Sequence, residues 1–248
     1  MIIDGKAIAA EVEKSVKRKV ESLKRKPKLA IILIGDDPAS KVYVNLKVKK
    51  AKELGIETEI RTDLNTDADG IIVQLPGGEN LIEKIPLEKD VDGLRENSPF
   101  LPATVKAILS CWSEAIASSK RSYRASPSRM TWVIVGQGRL VGKPLAKFLK
   151  SKSFKVIKCD INTKNLKEKT LQGDVLVVAT RVPNLIKKDM VKPGAIVIDC
   201  GSPKPEVDFE KVKEVAGWIT PVPGGVGPLT VVSLLENLVE AAKIQTHA

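Results

Sequence analysis

Tyr43 and Lys47 are the two residues best suited to acid–base chemistry in this 248-residue sequence. Because they lie four positions apart, they would share one face of a helix and come within reach of each other. A lysine amine serves as a general acid or base near neutral pH only when burial or a nearby cation lowers its pKa. A tyrosine hydroxyl could position that amine or share its proton. The same spacing is more often that of a surface pair, so both interpretations stay open.

Three loop segments carry residues that could bind a small molecule. VQLPGG places Gln74 at a predicted strand end, where α/β sheets collect ligands, and KDVDG places Asp90 and Asp92 in a polar turn. Residues 220–230, TPVPGGVGPLT, contain three prolines and three glycines. Such a rigid loop could wrap a flat ligand or link two domains. As isolated motifs, the first two segments are most simply ordinary loops.

The sequence argues against a catalytic or metal-binding histidine. The single histidine, His247, lies next to the C-terminus. This argues against Ser-His-Asp triads, Cys-His pairs and His-ligated metals, and we predict no metal site. Cys111, Cys159 and Cys200 are too far apart for a CxxC motif and are expected to be buried free thiols. Acid–base groups must therefore come from Lys, Tyr, Asp, Glu or Cys.

The segment from Val133 to Gly142 predicts a nucleotide-binding turn between a strand and a helix. Gly136 and Gly138 would let backbone N–H groups approach a pyrophosphate, although Gly142 comes one residue later than in G-x-G-x-x-G. The alternative is an ordinary glycine turn. Asp160, at the next strand end, could bind a ribose 2′-hydroxyl, which favours NAD, or could simply form a turn.

Cationic residues around this turn favour the other cofactor. Arg139, Lys158 and Lys164 lie near Asp160 in sequence and could contact a 2′-phosphate, which favours NADP. Both cofactors stay open on these residues alone.

The elements that would position these residues alternate between short apolar runs and amphipathic segments, which predicts an α/β protein with parallel strands. Predicted strands cover 29–34, 56–60, 70–75, 131–135, 154–158, 174–179 and 195–199, and predicted helices start after Asp4, near Ala39, near Lys143 and at Thr230. We expect an N-terminal α/β substrate domain, residues 1–117 with 229–248. A Rossmann-like nucleotide-binding domain would cover 118–228, and the C-terminal helix would pack back on the first domain.

Composition excludes some classes of protein. The net charge is +11, but aromatic residues make up only 4% of the chain and no basic–aromatic repeat appears, which argues against nucleic-acid binding. The longest apolar runs fall far short of the roughly 20 residues that span a bilayer. The N-terminus lacks the pattern of a secretory signal. We predict a cytoplasmic protein with no membrane partner.

Six segments together resemble the bifunctional methylenetetrahydrofolate dehydrogenase/methenyltetrahydrofolate cyclohydrolase family. They are PASKVYVNLKVKKAKELGI, GIIVQLP, KDVDGL, VGQGRLVGKPLA, PGAIVIDCG and ITPVPGGVGPLTV. The resemblance implies two domains around a cleft, a homodimer, and tetrahydrofolate derivatives as ligands. It implies hydride transfer from 5,10-methylenetetrahydrofolate to NADP, with NAD as the alternative, and hydrolysis of the methenyl product to 10-formyltetrahydrofolate.

The resemblance also implies roles for individual residues. Lys47 would be the acid–base residue of hydrolysis, Tyr43 would stack on the folate, Gln74 would orient Lys47, and Asp92 would hold the pterin ring. The other substrate contacts would be Ser40, Val73, Leu75, Pro223, Gly224 and Gly225. The cofactor contacts would be Gly136, Gln137, Gly138, Arg139, Asp160, Ile161, Thr180 and Ser202.

The sequence departs from the family pattern at several places. Gln137-Gly138 replaces a frequent Arg-Ser, and Ile161 replaces a serine that often meets the 2′-phosphate, so both changes weaken the case for NADP. Gly77-Gly78 replaces Leu-Pro, and Pro-Ala-Thr-Val at 102–105 replaces Pro-Cys-Thr-Pro. The stretch from Leu64 to Gly70 is short, as though a helix were missing.

Two other functions fit the sequence less well. A two-domain dehydrogenase acting on a hydroxy acid would not need Tyr43, Lys47, Gln74, Asp92 and the 220–230 loop as a set. A nucleic-acid-binding module would use the net charge of +11 but lacks a stacking platform.

Overall fold

The computed structural model describes residues 1–119 and 127–246. Most of the predicted polar linker, residues 118–128, and His247 lie outside the described residues. Backbone contacts divide the chain into two compact units. The first comprises Ala9–Ala103 and Thr230–Ala248, and the second comprises Met1–Ile8 and Thr104–Leu229.

The first unit is built on a parallel sheet with strand order β2-β1-β3. The strands are β1 (Lys28–Leu33), β2 (Glu57–Arg61) and β3 (Gly70–Gln74). Strand β3 and the centre of β1 are buried, as expected for a parallel sheet covered on both faces. Helices α1 (Gly5–Glu21), α2 (Pro38–Glu53) and α3 (Glu79–Ile82) belong wholly or mainly to this unit. Helix α1 starts directly after Asp4, as predicted, and Asp4 caps it, because its Oδ1 accepts from the backbone N–H groups of Lys6 and Ala7.

The connection from β2 to β3 is short. Residues 62–69, all of them described, form bends and irregular backbone instead of a helix. Leu64 and the buried Ala68 pack against the apolar cluster around Ile32, Ile71 and Ile82. The absence of a helix here agrees with the expectation from the family pattern. Leu64 and Ala68 supply the apolar contacts of this connection with the sheet.

Helix α8 (Val226–Thr246) packs back on the first unit, which confirms the predicted return of the C-terminal helix. Lys19 Nζ lies 3.2 Å from carboxylate oxygens of both Glu236 and Glu240. Gln245 Nε2 donates a hydrogen bond to Asp69 O at 2.8 Å. The helix begins four residues before the predicted start at Thr230.

The second unit contains a five-stranded parallel sheet with strand order β5-β4-β6-β7-β8. This order, with a crossover between β5 and β6, is that of a Rossmann-like sheet, as predicted. The strands are β4 (Thr131–Val135), β5 (Lys155–Cys159), β6 (Val175–Val178), β7 (Ile196–Asp199) and β8 (Trp218–Ile219). The helices are α4 (Ala103–Ala117), α5 (Gly142–Ser151), α6 (Leu166–Thr170) and α7 (Phe209–Val212).

The N-terminal residues join the edge of this second sheet. The Ile3 N–H donates to Ile219 O at 2.9 Å, and the Ile219 N–H donates to Met1 O at 3.0 Å. These bonds place Met1–Ile8 with the second unit, whereas the sequence-based boundaries put residues 1–117 in the first domain. The functional boundaries stay a prediction. Among the residues described, no helix is long and apolar enough to cross a membrane.

Gly70 offers a test of how α8 is packed. A Cβ at this position would lie 2.6 Å from Val91 Cγ1 and 2.7 Å from Leu238 Cδ1, both buried. We expect Gly70→Ala to lower the free energy of unfolding by about 1–3 kcal/mol through overpacking, as measured by urea denaturation. Gly227→Ala, at the start of α8, is the control, since its Cβ would meet nothing within 4 Å. Equal stability of the two variants would contradict this packing.

Candidate active site

Helix α2 presents Ser40, Tyr43 and Lys47 at three- and four-residue spacings, which places them along one face. The helix is fixed at its start by Asp37, whose side chain accepts from the Ser40 N–H at 2.7 Å. Pro38 occupies the first turn, where its missing N–H has no consequence. The local sequence thus determines where the face that carries Lys47 begins.

Lys47 contacts the end of strand β3. Its Nζ donates a hydrogen bond to Gln74 Oε1 at 3.0 Å, and Gln74 is buried. Gln74 Nε2 donates to Leu75 O at 2.8 Å, which orients the amide so that its oxygen faces the lysine. Ser40 Oγ lies 3.5 Å from the same carbonyl. The structure therefore brings together three residues that the sequence analysis placed in one site.

Asp92 lies within electrostatic range of Lys47. It sits in the turn after the short 3-10 helix Leu87–Lys89. Asp90 holds this turn, because its carboxylate accepts from the N–H groups of Leu94 and Arg95 at 3.3 and 2.8 Å. Asp90 thus shapes the loop, and Asp92 is the carboxylate that interacts with the amine.

The lysine and the aspartate shift each other's titration. Burial lowers the pKa of the Lys47 amine, and the negative charge of Asp92 opposes that shift. Burial raises the pKa of the Asp92 carboxyl, which Lys47 opposes and Asp90 reinforces. Because burial outweighs the charge of Asp92, the pKa of the Lys47 amine lies below that of an exposed lysine, in the direction that general acid–base chemistry requires.

The other predicted substrate residues of the first unit differ in exposure and in backbone conformation. Tyr43 is 38% exposed, Val73 is buried in β3, and Leu75 precedes a cis peptide bond to Pro76. Gly77 and Gly78 both have positive φ angles. A Leu-Pro pair could not adopt this backbone without strain, which explains why glycines accompany this loop conformation.

The predicted nucleotide turn follows strand β4 in the second unit. Gly136 has a φ of 98°, and a Cβ there would lie 2.1 Å from Ala179 O. A Cβ at Gly142 would lie 1.8 Å from Gly136 O, so this glycine lets helix α5 pack on the turn. A Cβ at Gly138 would meet nothing within 4 Å. Packing within the protein thus requires glycine at 136 and 142. Gly138 is not required by packing, and the space beside it is open.

The remaining cofactor candidates lie at the carboxyl ends of strands in this unit. Gln137 Nε2 donates back to Ile134 O at 3.2 Å and to Gly136 O at 3.1 Å. Asp160 Oδ1 accepts from the Asn162 N–H at 3.0 Å, so Asp160 forms a turn, and Ile161 beside it is 99% exposed.

Arg139 and Ser202 both have partners within the protein and lie at the surface. In the 220–230 loop, Pro223 follows a cis peptide bond. A Cβ at Gly5 would lie 1.9 Å from Gly225 O, so α1 packs on the Gly224–Gly225 backbone.

Glu206 is a buried residue that the sequence analysis missed. Its carboxylate accepts from the N–H and Oγ1 of Thr180 and from the Arg181 N–H at 2.8 Å. Arg181 has a φ of 63°, which a side chain other than glycine adopts only when it is held there. Because Thr180 borders Gly136, this carboxylate shapes one wall of the turn. In the sequence, Glu206 is one acidic residue directly before VDFE (207–210), and nothing there indicates that it is buried.

Asp199 plays a similar part after β7. Its carboxylate accepts from the N–H groups of Gly201, Glu206 and Val207 at 2.8 to 3.0 Å. Burial raises the pKa of Asp199 to about 6, against the lowering effect of these hydrogen bonds. The two carboxylates therefore build the loops at the carboxyl ends of β6 and β7.

Comparison with known families gives two matches along the chain. Residues 110–246 match the family described as "Tetrahydrofolate dehydrogenase/cyclohydrolase, NAD(P)-binding domain". Residues 3–64 match "Tetrahydrofolate dehydrogenase/cyclohydrolase, catalytic domain".

Individual relatives match nearly the whole chain. The bifunctional protein FolD of Vesicomyosocius okutanii is 41% identical over 278 aligned residues, covering 97% of this chain and 98% of the relative. The alignment is longer than this chain, so it contains gaps, as expected from the shortened segments. The bifunctional protein FolD of Aquifex aeolicus is 38% identical, with 98% and 95% covered.

Solved structures agree with this pattern. The bifunctional FolD enzyme of Campylobacter jejuni is 34% identical, with 99% of each chain covered and a TM-score of 0.89. The methylenetetrahydrofolate dehydrogenase-cyclohydrolase of Trypanosoma brucei, solved with NADP cofactor and an inhibitor, is 27% identical. It covers 100% of this chain and 99% of its own, with a TM-score of 0.86.

The glycines of the turn give a test that separates folding from ligand approach. We expect Gly142→Ala to lower the free energy of unfolding by about 1–3 kcal/mol, because its Cβ clashes with Gly136 O. Gly138→Ala should leave stability nearly unchanged yet weaken binding of a nicotinamide dinucleotide, measured by calorimetry. Normal binding by Gly138→Ala would show that the open space does not admit the cofactor.

Proposed function

This chain belongs to the tetrahydrofolate dehydrogenase/cyclohydrolase family, and we propose that it oxidises 5,10-methylenetetrahydrofolate with NADP and hydrolyses the methenyl product to 10-formyltetrahydrofolate. The observation that carries the hydrolytic half is the contact of the Lys47 amine with Gln74, in the field of Asp92. A hydroxy-acid dehydrogenase would have no use for this arrangement.

Oxidation needs alignment of two ligands more than a strong base. NADP supplies the hydride acceptor when bound. We assign its pyrophosphate to the turn 136–138 and to the backbone N–H groups at the start of α5, because the space at Gly138 lets a ligand come close to the backbone. Thr180, held by Glu206, forms the neighbouring wall.

Hydrolysis requires one tuned acid–base group. In the proposed step a water oxygen bonds to the methenyl carbon, and the neutral Lys47 amine takes up the proton that the water loses. The bond from that carbon to N5 then breaks while the protonated amine returns its proton to N5. The hydroxyl oxygen loses its remaining proton to solvent water as its C=O bond forms, which leaves the formyl group on N10 and releases one proton overall. Gln74 holds the amine in place, Asp92 binds the pterin ring, and Tyr43 stacks on it.

NADP is preferred over NAD in this proposal on two grounds. The Trypanosoma brucei relative was solved with NADP. In this chain Asp160 uses Oδ1 within its own turn, while Arg139, Lys158 and Lys164 lie nearby in sequence and offer positive charge to a 2′-phosphate. Ile161, in place of the usual serine, acts against this preference, so a comparison of rates with NADP and with NAD is informative.

Initial rates on 5,10-methylenetetrahydrofolate test the proposed activity directly. We expect an absorbance change with NADP and a smaller rate with NAD at equal concentrations. Turnover of a simple 2-hydroxy acid without turnover of the folate would instead support a different dehydrogenase. Tight binding to DNA or RNA with a steep salt dependence would support the nucleic-acid alternative.

The role of Lys47 separates the two activities. Lys47→Met keeps the length of the side chain and removes its amine, so we expect hydrolysis of methenyltetrahydrofolate to fall by about 10²- to 10⁴-fold while part of the oxidation remains. Lys49→Met, exposed on the same helix, is the matched control and should retain both activities. Normal hydrolysis by Lys47→Met would refute its role.

We also propose that the chain forms a homodimer. Val42 and Leu46, one turn apart on α2, are 58% and 52% exposed, and Ile60 on strand β2 is 54% exposed. Apolar side chains exposed at this level fit a surface that a second copy covers. Light scattering should give about twice the 26.9 kDa of one chain. A mass of one chain at micromolar concentration would contradict the dimer.

We place the protein in the cytoplasm. All three cysteines, Cys111, Cys159 and Cys200, are free thiols, which fits a reducing compartment.

A further inference from the structure

Asn237 of helix α8 connects two parts of the loop that contains Asp92. Its side chain is 3% exposed. Its Nδ2 donates hydrogen bonds to Val91 O at 2.9 Å and to Leu101 O at 3.0 Å. One of these carbonyls directly precedes Asp92 in the chain, and the other lies where the loop approaches α4. A single amide group thus holds both ends of residues 91–101.

Local hydrogen bonds shape the turn at Asp92. The Gly93 N–H donates to Asp90 O at 2.9 Å, and the Ala103 N–H donates to Asp92 O at 3.4 Å. These bonds define the shape of the turn, and a β-bridge between Asp90 and Ile71 of strand β3 joins its start to the sheet. Asn237 adds a tie from the turn to helix α8, which is itself held by ion pairs to Lys19.

An amide is well suited to this position. The two N–H groups of an asparagine can satisfy two carbonyls at once. A leucine of similar size would leave the buried Val91 carbonyl and the partly buried Leu101 carbonyl without this donor, which favours displacement of the loop toward water. The residue type is therefore matched to the two acceptors and not only to the available volume.

We propose that Asn237 is a positioning residue that holds Asp92 in place opposite Lys47 and the folate. The kinetic part of this inference rests on the proposed function. Asn237 does not contact the reacting atoms, and it acts on the reaction through the loop 91–101. The sequence analysis treated α8 only as a packing helix.

The test compares Asn237→Leu with Gln245→Leu. Gln245 makes the same kind of bond, from a side-chain amide of α8 to a backbone carbonyl, but to Asp69. We expect Asn237→Leu to raise KM for methylenetetrahydrofolate about tenfold, which corresponds to about 1.4 kcal/mol, and to leave KM for NADP unchanged. Gln245→Leu should leave both KM values unchanged.

The pH profile of hydrolysis gives a second readout. If Asp92 moves away, it no longer raises the pKa of the Lys47 amine. The rising limb of the profile should then shift to lower pH in Asn237→Leu and not in Gln245→Leu. A residue with a merely structural role would lower the amount of folded enzyme without moving this limb.

Further measurements keep the proposal open to refutation. If Asn237→Leu does not fold, Asn237→Ser retains one donor and should give a smaller rise in folate KM. Hydrogen exchange of residues 91–101 tests the tie without any substrate, and it should accelerate in Asn237→Leu or Asn237→Ser but not in Gln245→Leu. An inactive wild-type protein would refute the proposed function alone. Unchanged exchange, or equal rises in both KM values, would overturn the role of Asn237.

Discussion

The burial of the Lys47 amine is the constraint on which the first unit depends. Removing an ammonium group from water favours its neutral form, while a single carboxylate, Asp92, opposes this effect. Gln74 holds the amine through a neutral oxygen, which orients it without adding a second negative charge. The cap at Asp37, the end of β3 and the turn held by Asp90 all serve to keep these three groups at fixed positions. Each of them is a local structure with its own hydrogen bonds, so the site is organised before any ligand binds.

The second unit carries the proposed pyrophosphate site, which depends on backbone groups and not on a titrating side chain. A pyrophosphate needs exposed backbone N–H groups, so its turn is made of glycines and a helix start. The surrounding loops are built by two buried carboxylates, Asp199 and Glu206, which accept from backbone N–H groups at the ends of β6 and β7. Two carboxylates thus hold the loops beside the turn. The net charge of the chain is nevertheless +11, which suits anionic ligands.

Local signals in the sequence predicted the central strands, whereas the residues of the Lys47 group were identified mainly through the family resemblance. LAIILI and TWVIV are short apolar runs typical of strands buried in a parallel sheet, and the four-residue spacing of Tyr43 and Lys47 predicts that they share a helix face. Strand β8 was not predicted, because its two residues are stabilised by β7 and by the distant N-terminus. Helix α4 is absent from the sequence-based prediction although its buried stripe, Val105, Ile108, Cys111 and Ala115, is readable. The hydrogen bonds of Glu206 and Asn237 could not be predicted, because their partners lie far away in sequence and only the fold brings them together.

Titration of the Lys47 amine tests the central claim most directly. Lysine labelled with ¹⁵N or ¹³C, assigned with Lys47→Met, would report the pKa of this amine by nuclear magnetic resonance. The account predicts that the amine titrates below an ordinary lysine because it is buried, and that Asp92→Asn lowers the value further by removing the charge that opposes the shift. A Lys47 amine that titrates at or above the usual lysine value, or that does not respond to Asp92→Asn, would contradict it.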